Sequence, residues 1–425
     1  MSAQKPNIQT FDNLTCPFCS LLCDDISIEN HSGQLKVLKN ACHLAKKQYE
    51  QPEEDLIPLI DGKTATIEQA IKQAALILQK SKQPLITGLG TDVRGMRSVM
   101  KLADKTGSVI DHMHSEGAIK NTKVLQNMGW MMTTMGEIKN RADLVIMAGT
   151  DGYTNYPRFF ERVILNKDAL FLPKNHVKDI VFLGDKAKIG ISPEIKKIKP
   201  TFIHCPNDQL GEVIGVLHAM IAGNGIDNNK LTRVKLAPLQ ALANRIKEAK
   251  YGVIVWEPGA LDYDHADLTI QSIGEMVKYL NRTTRFAGFS LGGNDGGVTA
   301  SNVCAWQSGY PLRVNFGNGI PEYDPHKFSA RNVLQRKETD ALVWISSFGS
   351  SKQIHHARIP TIILSSTHVH YKRKPHVFIP VSTPGLDCKG QLFRTDNVVS
   401  LPVPKIRSSG RQRVDEILDS ITGLL

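Results

Sequence analysis

The chain has little cysteine for its length, 7 in 425 residues. That excludes a disulfide-dense scaffold, which needs paired thiols at short intervals. It also lacks a long apolar run. The most apolar stretch, Val213 to Ile226, is shorter than the about 20 residues of a bilayer span and contains His218 and Asn224. Met1 to Asn13 is polar, with no apolar segment of signal-peptide length. The sequence therefore predicts a soluble, cytoplasmic protein with no membrane association. No Gly-x-Ser-x-Gly elbow, His-Glu-x-x-His pair, Walker loop or short-period repeat occurs.

What is present is ordinary globular composition. Hydrophobic residues are 41% and charged residues 22%, which excludes disorder as the whole answer. At roughly 100–200 residues per domain, the length predicts two to four domains. Lys plus Arg is 52 against 41 Asp plus Glu, a net charge of +11. Such a balance favours acidic partners: nucleic acid, a phosphorylated cofactor, a polyanionic substrate or an acidic subunit. The basic residues are mostly dispersed and read as solvated faces, with denser patches at Lys196-Lys197 and Lys372-Arg373-Lys374. A nucleic-acid binder is disfavoured, because aromatics are only 6% and the chain shows α/β alternation.

Four of the seven cysteines fall in the first tenth of the chain. Cys16, Cys19, Cys23 and Cys42 are spaced C-x2-C-x3-C-x18-C. Clustered thiols without a secretion signal point to a metal rather than to disulfides. Zinc ribbons pair two short knuckles, whereas here three thiols crowd one short loop. A cubane iron–sulfur cluster offers four irons on one body and suits three near thiolates and one distant one. Cluster, zinc and an empty site all remain open on spacing alone. Cys205, Cys304 and Cys388 are scattered and read as small buried apolar residues.

From about residue 60 the sequence alternates short apolar strands with amphipathic helices. Thr66-x-x-Gln69 is a capping box ahead of a helix bearing Ile67, Ala70, Ile71, Ala74 and Leu78. Strands are predicted at 84–87, 108–110, 143–148, 179–183, 201–205, 252–256, 285–289, 342–345, 361–364 and 377–381, with Ile26 and Ile28 marking one more near the cysteines. About ten such strands exceed one comfortable sheet. The expected fold is α/β: a Cys-rich lobe over 1–58 and two doubly wound, mainly parallel domains over 59–235 and 236–425.

Ligand sites in such sheets lie beyond the strand C-termini. Gly88-Leu89-Gly90 lacks the third glycine of a dinucleotide fingerprint. Gly292-Gly293-Asn294-Asp295-Gly296-Gly297 offers amides that suit a phosphate or a simple turn, and Gly317-Asn318-Gly319 reads as a turn before Pro321. Asp111, His112, His114 and Glu116 follow a strand; they read as hydrogen-bonded structure or as a three-ligand metal site. His355-His356 point apart, and His368, His370 and His376 read as surface or satisfied histidines.

The opening CPFCSLLCDDI, with Ala41-Cys42 after it, resembles the start of the B subunit of formylmethanofuran dehydrogenases, relatives of the molybdopterin oxidoreductases. Thr133 to Asp143 is similar to that family's TLGEVKNRAD segment, Pro157-Arg158 to its HPRH segment, and Trp306 to Pro311 to its WQTGYP segment. Gly385 to Asp396 is similar to its GIEAEGTAYRMD segment, so the resemblance covers nearly the whole chain. It implies a [4Fe–4S] cluster on Cys16, Cys19, Cys23 and Cys42, and a tungsten or molybdenum ion on two pterin dinucleotides. It also implies a molybdopterin-oxidoreductase-like fold without the C-terminal β-barrel, which in that family is a separate subunit.

Three departures matter. The family's metal-ligating Cys-His-Gly step aligns with Ser115-Glu116-Gly117, and no cysteine lies between Cys42 and Cys205. A serine hydroxyl is a hard donor, a poor substitute for a soft thiolate on a redox metal. The family's Gly-Cys-Asn-Pro step reads Gly149-Thr150-Asp151-Gly152, and its GHYNVTG-like pterin loop reads Gly292, Gly293, Asn294 onward. The pattern is similar to the bacterial formyltransferase/hydrolase complex of methylotrophs. That complex moves a formyl group from tetrahydromethanopterin to a methanofuran analogue with an acidic tail, and hydrolyses it to formate. The resemblance implies a B-type chain kept as a non-redox structural partner of formyltransferase, amidohydrolase-like and further subunits, without the tungsten or molybdenum pterin. The alternative is a working tungsten or molybdenum formylmethanofuran dehydrogenase.

Overall fold

The computed structural model describes residues 8–185, 190, 193–226, 234–349, 352–354 and 358–425. Two compact units divide the chain: Met1–Ser115 with Gly293–Leu425, and Glu116–Gly292. The first unit is thus discontinuous in sequence, and the division falls at other points than the expected spans 59–235 and 236–425. Alternating strands and helices do not reveal that the chain leaves one sheet and returns to it.

The first unit begins with an antiparallel ribbon of β1 (Ile8–Leu14), β2 (Ile26–His31) and β3 (Gln34–Lys39). Next come β4 (Leu59–Ile60), β5 (Lys63–Thr64), β6 (Pro84–Gly90) and β7 (Val109–Ile110). In the second unit lie β8 (Leu144–Ala148), β9 (Asp179–Gly184), β10 (Thr201–His204), β11 (Tyr251–Trp256) and β12 (Arg285–Ser290). The first unit resumes with β13 (Val314–Asn315), β14 (Glu322–Tyr323), β15 (Ala341–Ser346), β16 (Thr361–Ser365) and β17 (Val377–Pro380), and ends with the β18 (Gly390–Phe393) and β19 (Ser400–Val403) hairpin.

The large sheet of the first unit has the order β14-β13-β7-β6-β15-β16-β17-β4-β5, with a parallel centre from β7 to β17 and antiparallel edges. Its central strands are apolar throughout because both faces are covered. Val343 and Ile345 pack with Met96, Val99 and Leu102 of a helix at Val93–Thr106 and with Ile417 and Ile421 of the last helix. The alternate residues Leu342 and Trp344 pack with Phe328 and Val333. The helix Ile67–Lys80 starts on the expected Thr66/Gln69 capping box.

The second unit has an all-parallel sheet in the order β10-β9-β8-β11-β12. The order reverses between β8 and β11, the switch point of a doubly wound sheet. Helices at Leu210–Ile221, Leu236–Glu248 and Ala266–Leu280 bury their apolar stripes on it. The α/β class with parallel sheets holds, and no barrel is formed among the described residues. No helix among them is long and apolar enough to cross a membrane.

Gly88-Leu89-Gly90 is not a nucleotide loop. It belongs to β6, where the register with β15 shifts between Trp344 and Ser346. Gly88 has φ +79°, and a Cβ there would meet the Ile345 carbonyl oxygen at 2.5 Å. Gly88→Ala is expected to lower stability by more than about 1 kcal/mol, because the native backbone excludes a side chain; a drop in the urea midpoint measures it.

Candidate functional site

Cys16, Cys19 and Cys23 lie in the loop joining β1 to β2. The loop closes on itself: the Cys16 amide donates to the Cys23 carbonyl at 2.8 Å, and the Leu22 amide to that of Cys19 at 3.2 Å, with Leu22 left-handed at φ 47°. All three thiols are buried. Cys42 is half-buried and forms the N-cap of the helix His43–Glu50, its sulfur accepting from the Ala45 amide at 3.5 Å. Burial pushes the Cys16 thiol well above the usual range, and the thiols of Cys19, Cys23 and Cys42 add to the push. The four sulfurs are therefore electrostatic neighbours. None of the seven cysteines forms a disulfide.

Distant segments hold this loop. The Ser20 amide donates to Asn294 Oδ1 at 3.1 Å, the Thr395 amide donates to the Ser20 carbonyl at 2.8 Å, and Gly385 packs against Pro17. Gly385 and Thr395 come from a segment that carried the resemblance, whereas Asn294 lies in a loop that departs from the family pattern. Tyr49 closes the other side, buried and set edge-on to Phe18 with ring centroids 4.9 Å apart.

Among the described residues, no three His, Cys, Asp or Glu side chains are gathered closely enough to hold a single metal ion. That disfavours a tetrahedral zinc, and at Asp111, His112, His114 and Glu116 it disfavours the three-ligand alternative to hydrogen-bonded structure. A cubane spreads its irons over four corners and accepts sulfurs further apart. Four thiols, three of them buried and Cys42 half-buried, are the donor type that such a cluster takes.

Ser115 opens the helix Ser115–Met128, and Glu116 is its second residue. Ser115 Oγ accepts from Arg313 Nη2 at 3.1 Å. Arg313 also donates through Nη1 to the Pro325 carbonyl, and its Nε lies 3.4 Å from Asp111 Oδ1. Asp111 accepts the amides of His112 at 3.0 Å and Ala330 at 2.8 Å. Ser115, Arg313 and Asp111 are each at most 4% exposed. The serine oxygen is thus one element of a buried polar network. It is a hard donor already engaged by a cation, and it does not fit a soft redox metal.

His112 and His114 do not lie on a strand, since β7 ends at Ile110. His112 Nδ1 accepts the His114 amide at 3.1 Å, which leaves its Nε2 to donate to the Asp295 carbonyl at 3.2 Å. Burial, with His114 adding to it, lowers the His112 pKa to about 3, so the ring is neutral. His114 Nε2 meets Asp295 Oδ2 at 2.6 Å. Asp295 belongs to the glycine-rich loop, whose Gly297 amide is taken by the carbonyls of Gly293 and Asn294.

Gly149 offers no open cradle: a Cβ there would meet Leu261 at 2.7 Å and Leu210 at 2.9 Å. Gly292 is open around its Cα. Asp151 accepts the amides of Tyr153 and Thr154 in a local turn, and also that of the distant Gly190. Burial pushes Cys205 up to about 12 and Cys388 to about 11, and raises Cys304, as expected of inert thiols. Gly319 closes the expected turn on the Phe316 carbonyl. His376 Nδ1 accepts the Thr361 amide, while His368 and His370 are exposed. His355 and His356 lie outside the described residues. Lys372, Arg373 and Lys374 are exposed, and with Arg358, Tyr371 and His376 they line a cavity of about 640 Å³ that has no acidic residue among its described lining.

Sequence reasoning does not single out Tyr49, Arg313 or Asp295. For Tyr49 a signal exists, since it follows Cys42 by two helical turns and so shares its face. Arg313 and Asp295 meet their partners only through tertiary structure.

Arg313→Met is expected to cost about 3 kcal/mol or more, because Asp111 stays buried and loses its cation. Ser115→Ala removes one acceptor and should cost about 1 kcal/mol; chemical denaturation compares the two. His112 titrates at about 3 when folded against 6.5 when exposed. The unfolded chain binds the extra proton between those values, so stability falls as pH drops through that window, by up to about 1.4 kcal/mol per pH unit. His112→Gln should flatten this part of the stability–pH curve.

No family model matches the chain. The B subunit of the tungsten-containing formylmethanofuran dehydrogenase 2 of Methanocaldococcus jannaschii is 25% identical over 409 residues, 92% of each chain. Its namesake in Methanococcus maripaludis is 24% identical over 406 residues, 92% of this chain and 93% of the other. The B subunit of the formyltransferase/hydrolase complex Fhc of Methylorubrum extorquens is 25% identical over 337 residues, 79% of this chain and 87% of its own. A chain in the crystal structure of the FhcABCD complex from Methylorubrum extorquens with methylofuran shares the fold at a TM-score of 0.75 and 22% identity, over 86% of this chain and 98% of that one. Similarity sustained over most of both chains makes this protein a homologue of the B subunits of formylmethanofuran dehydrogenase and of the formyltransferase/hydrolase complex.

Proposed function

We propose that this chain is a non-redox structural subunit of a formyltransferase/hydrolase-type complex. The complex would convert formyl-tetrahydromethanopterin to formate through a methanofuran-type carrier, in one-carbon metabolism. The observation that carries the reading is Ser115. By the resemblance of the surrounding sequence, its oxygen would take the place of the dehydrogenases' soft metal ligand, and it is tied to the buried Arg313–Asp111 pair. Transfer and hydrolysis would then belong to formyltransferase and amidohydrolase-like partner subunits. The basic cavity at Lys372 to Lys374 offers an acidic carrier or an acidic partner a complementary surface.

Cys16, Cys19, Cys23 and Cys42 are the residues that would hold a [4Fe–4S] cluster. The cluster would supply cross-links between the β1–β2 loop and the helix at His43–Glu50, and so folding free energy for the N-terminal lobe. Their retention is also the one observation that favours the second reading, a working tungsten or molybdenum dehydrogenase.

Elemental analysis of each chain in the native complex separates the readings. The expected result is about four irons with matching sulfide in this chain, and no stoichiometric tungsten or molybdenum. A pterin-held tungsten or molybdenum in this chain, with formate oxidation, would overturn the proposal. Cys16→Ser is expected to weaken complex assembly and thermal stability more than formyl transfer. Unchanged stability with loss of electron transfer alone would contradict a structural cluster.

A further inference from the structure

Tyr49 sits two turns into the helix that Cys42 caps, on the face that also buries Ala45. Its hydroxyl is fully buried and makes no hydrogen bond of regular geometry with any protein group. The cysteines that act on it electrostatically are Cys16, Cys23 and Cys42, Cys16 foremost. Phe18 fixes the ring edge-on from inside the cysteine loop. A phenol, with an ordinary pKa of about 10, keeps its proton near neutral pH, and this buried hydroxyl is available as a donor.

A neutral thiol is a weak acceptor, whereas a thiolate is a strong one. The phenol is therefore poorly satisfied beside four protonated cysteines and well satisfied beside four ligating ones. We propose that the Tyr49 hydroxyl donates a hydrogen bond to the Cys16 sulfur when that sulfur ligates the cluster, and thereby sets the cluster's reduction potential. The inference rests on the cluster reading above. The reduced cluster carries one more negative charge than the oxidised one, so a donor aimed at a ligating sulfur stabilises the reduced form more and raises the potential. Tyr49 is thus a positioning and tuning residue, separate from the four ligands.

Tyr49→Phe removes the hydroxyl and keeps the ring. Wild type and variant are purified anaerobically as the full complex, and iron content, midpoint potential and the rate of iron release to a chelator are measured. The variant is expected to load the same iron, to show a lower midpoint potential and to release iron about tenfold faster, the factor for one lost charge-assisted hydrogen bond. Its effect on melting temperature should change sign: neutral or stabilising after iron removal, destabilising when loaded. A fully loaded variant with the wild-type potential and release rate would overturn the role of Tyr49 while leaving the cluster reading intact. A wild-type chain without iron and sulfide would overturn that reading and this inference together.

Discussion

A buried guanidinium governs the region around Ser115. Arg313 is almost wholly excluded from water and pairs with Asp111. It also donates to the Pro325 carbonyl and to Ser115 Oγ. The residue and its neighbour Leu312 adopt left-handed backbone, at φ 51° and 65°. Such conformations are costly for residues with side chains and persist only where the surroundings fix them. The ion pair, the two strained residues and the start of the Ser115 helix therefore stand together. A cation placed against Ser115 suits a neutral hydroxyl oxygen.

The cysteine loop follows a different logic. Its backbone bonds are internal, but its position depends on Asn294, Gly385 and Thr395, which belong to distant parts of the same unit. The loop is thus held both by a segment that resembles the dehydrogenases, at Gly385 and Thr395, and by one that departs from them, at Asn294.

The thiol quartet and the serine are legible in the sequence because each is a matter of residue identity. The parallel strands of both sheets are legible because burial on two faces leaves continuous apolar runs, whereas the two-residue antiparallel edge strands β4, β5, β13 and β14 leave no such run. Other features are hidden for physical reasons. Gly88 and Gly90 look like a ligand loop until β15 is placed beside them and the shifted register becomes visible. His112 and His114 look like metal ligands, but the chain turns after Ile110 and Asp295 takes both rings. The return of the chain to its first sheet after Gly292 leaves no mark in the local pattern. The role of Tyr49 depends on which group faces its hydroxyl, and periodicity gives only the side of the helix.

The clamp on the cysteine loop also has a consequence for biosynthesis. Asn294 follows Ser20 by 274 residues. At about 5–20 residues per second, a ribosome needs roughly 14–55 s to make that span. Throughout that interval the nascent amino-terminal thiols have left the exit tunnel without their final enclosure, open to oxygen and to stray metal ions. Maturation of this polypeptide is therefore a late event, timed by the arrival of its own second half.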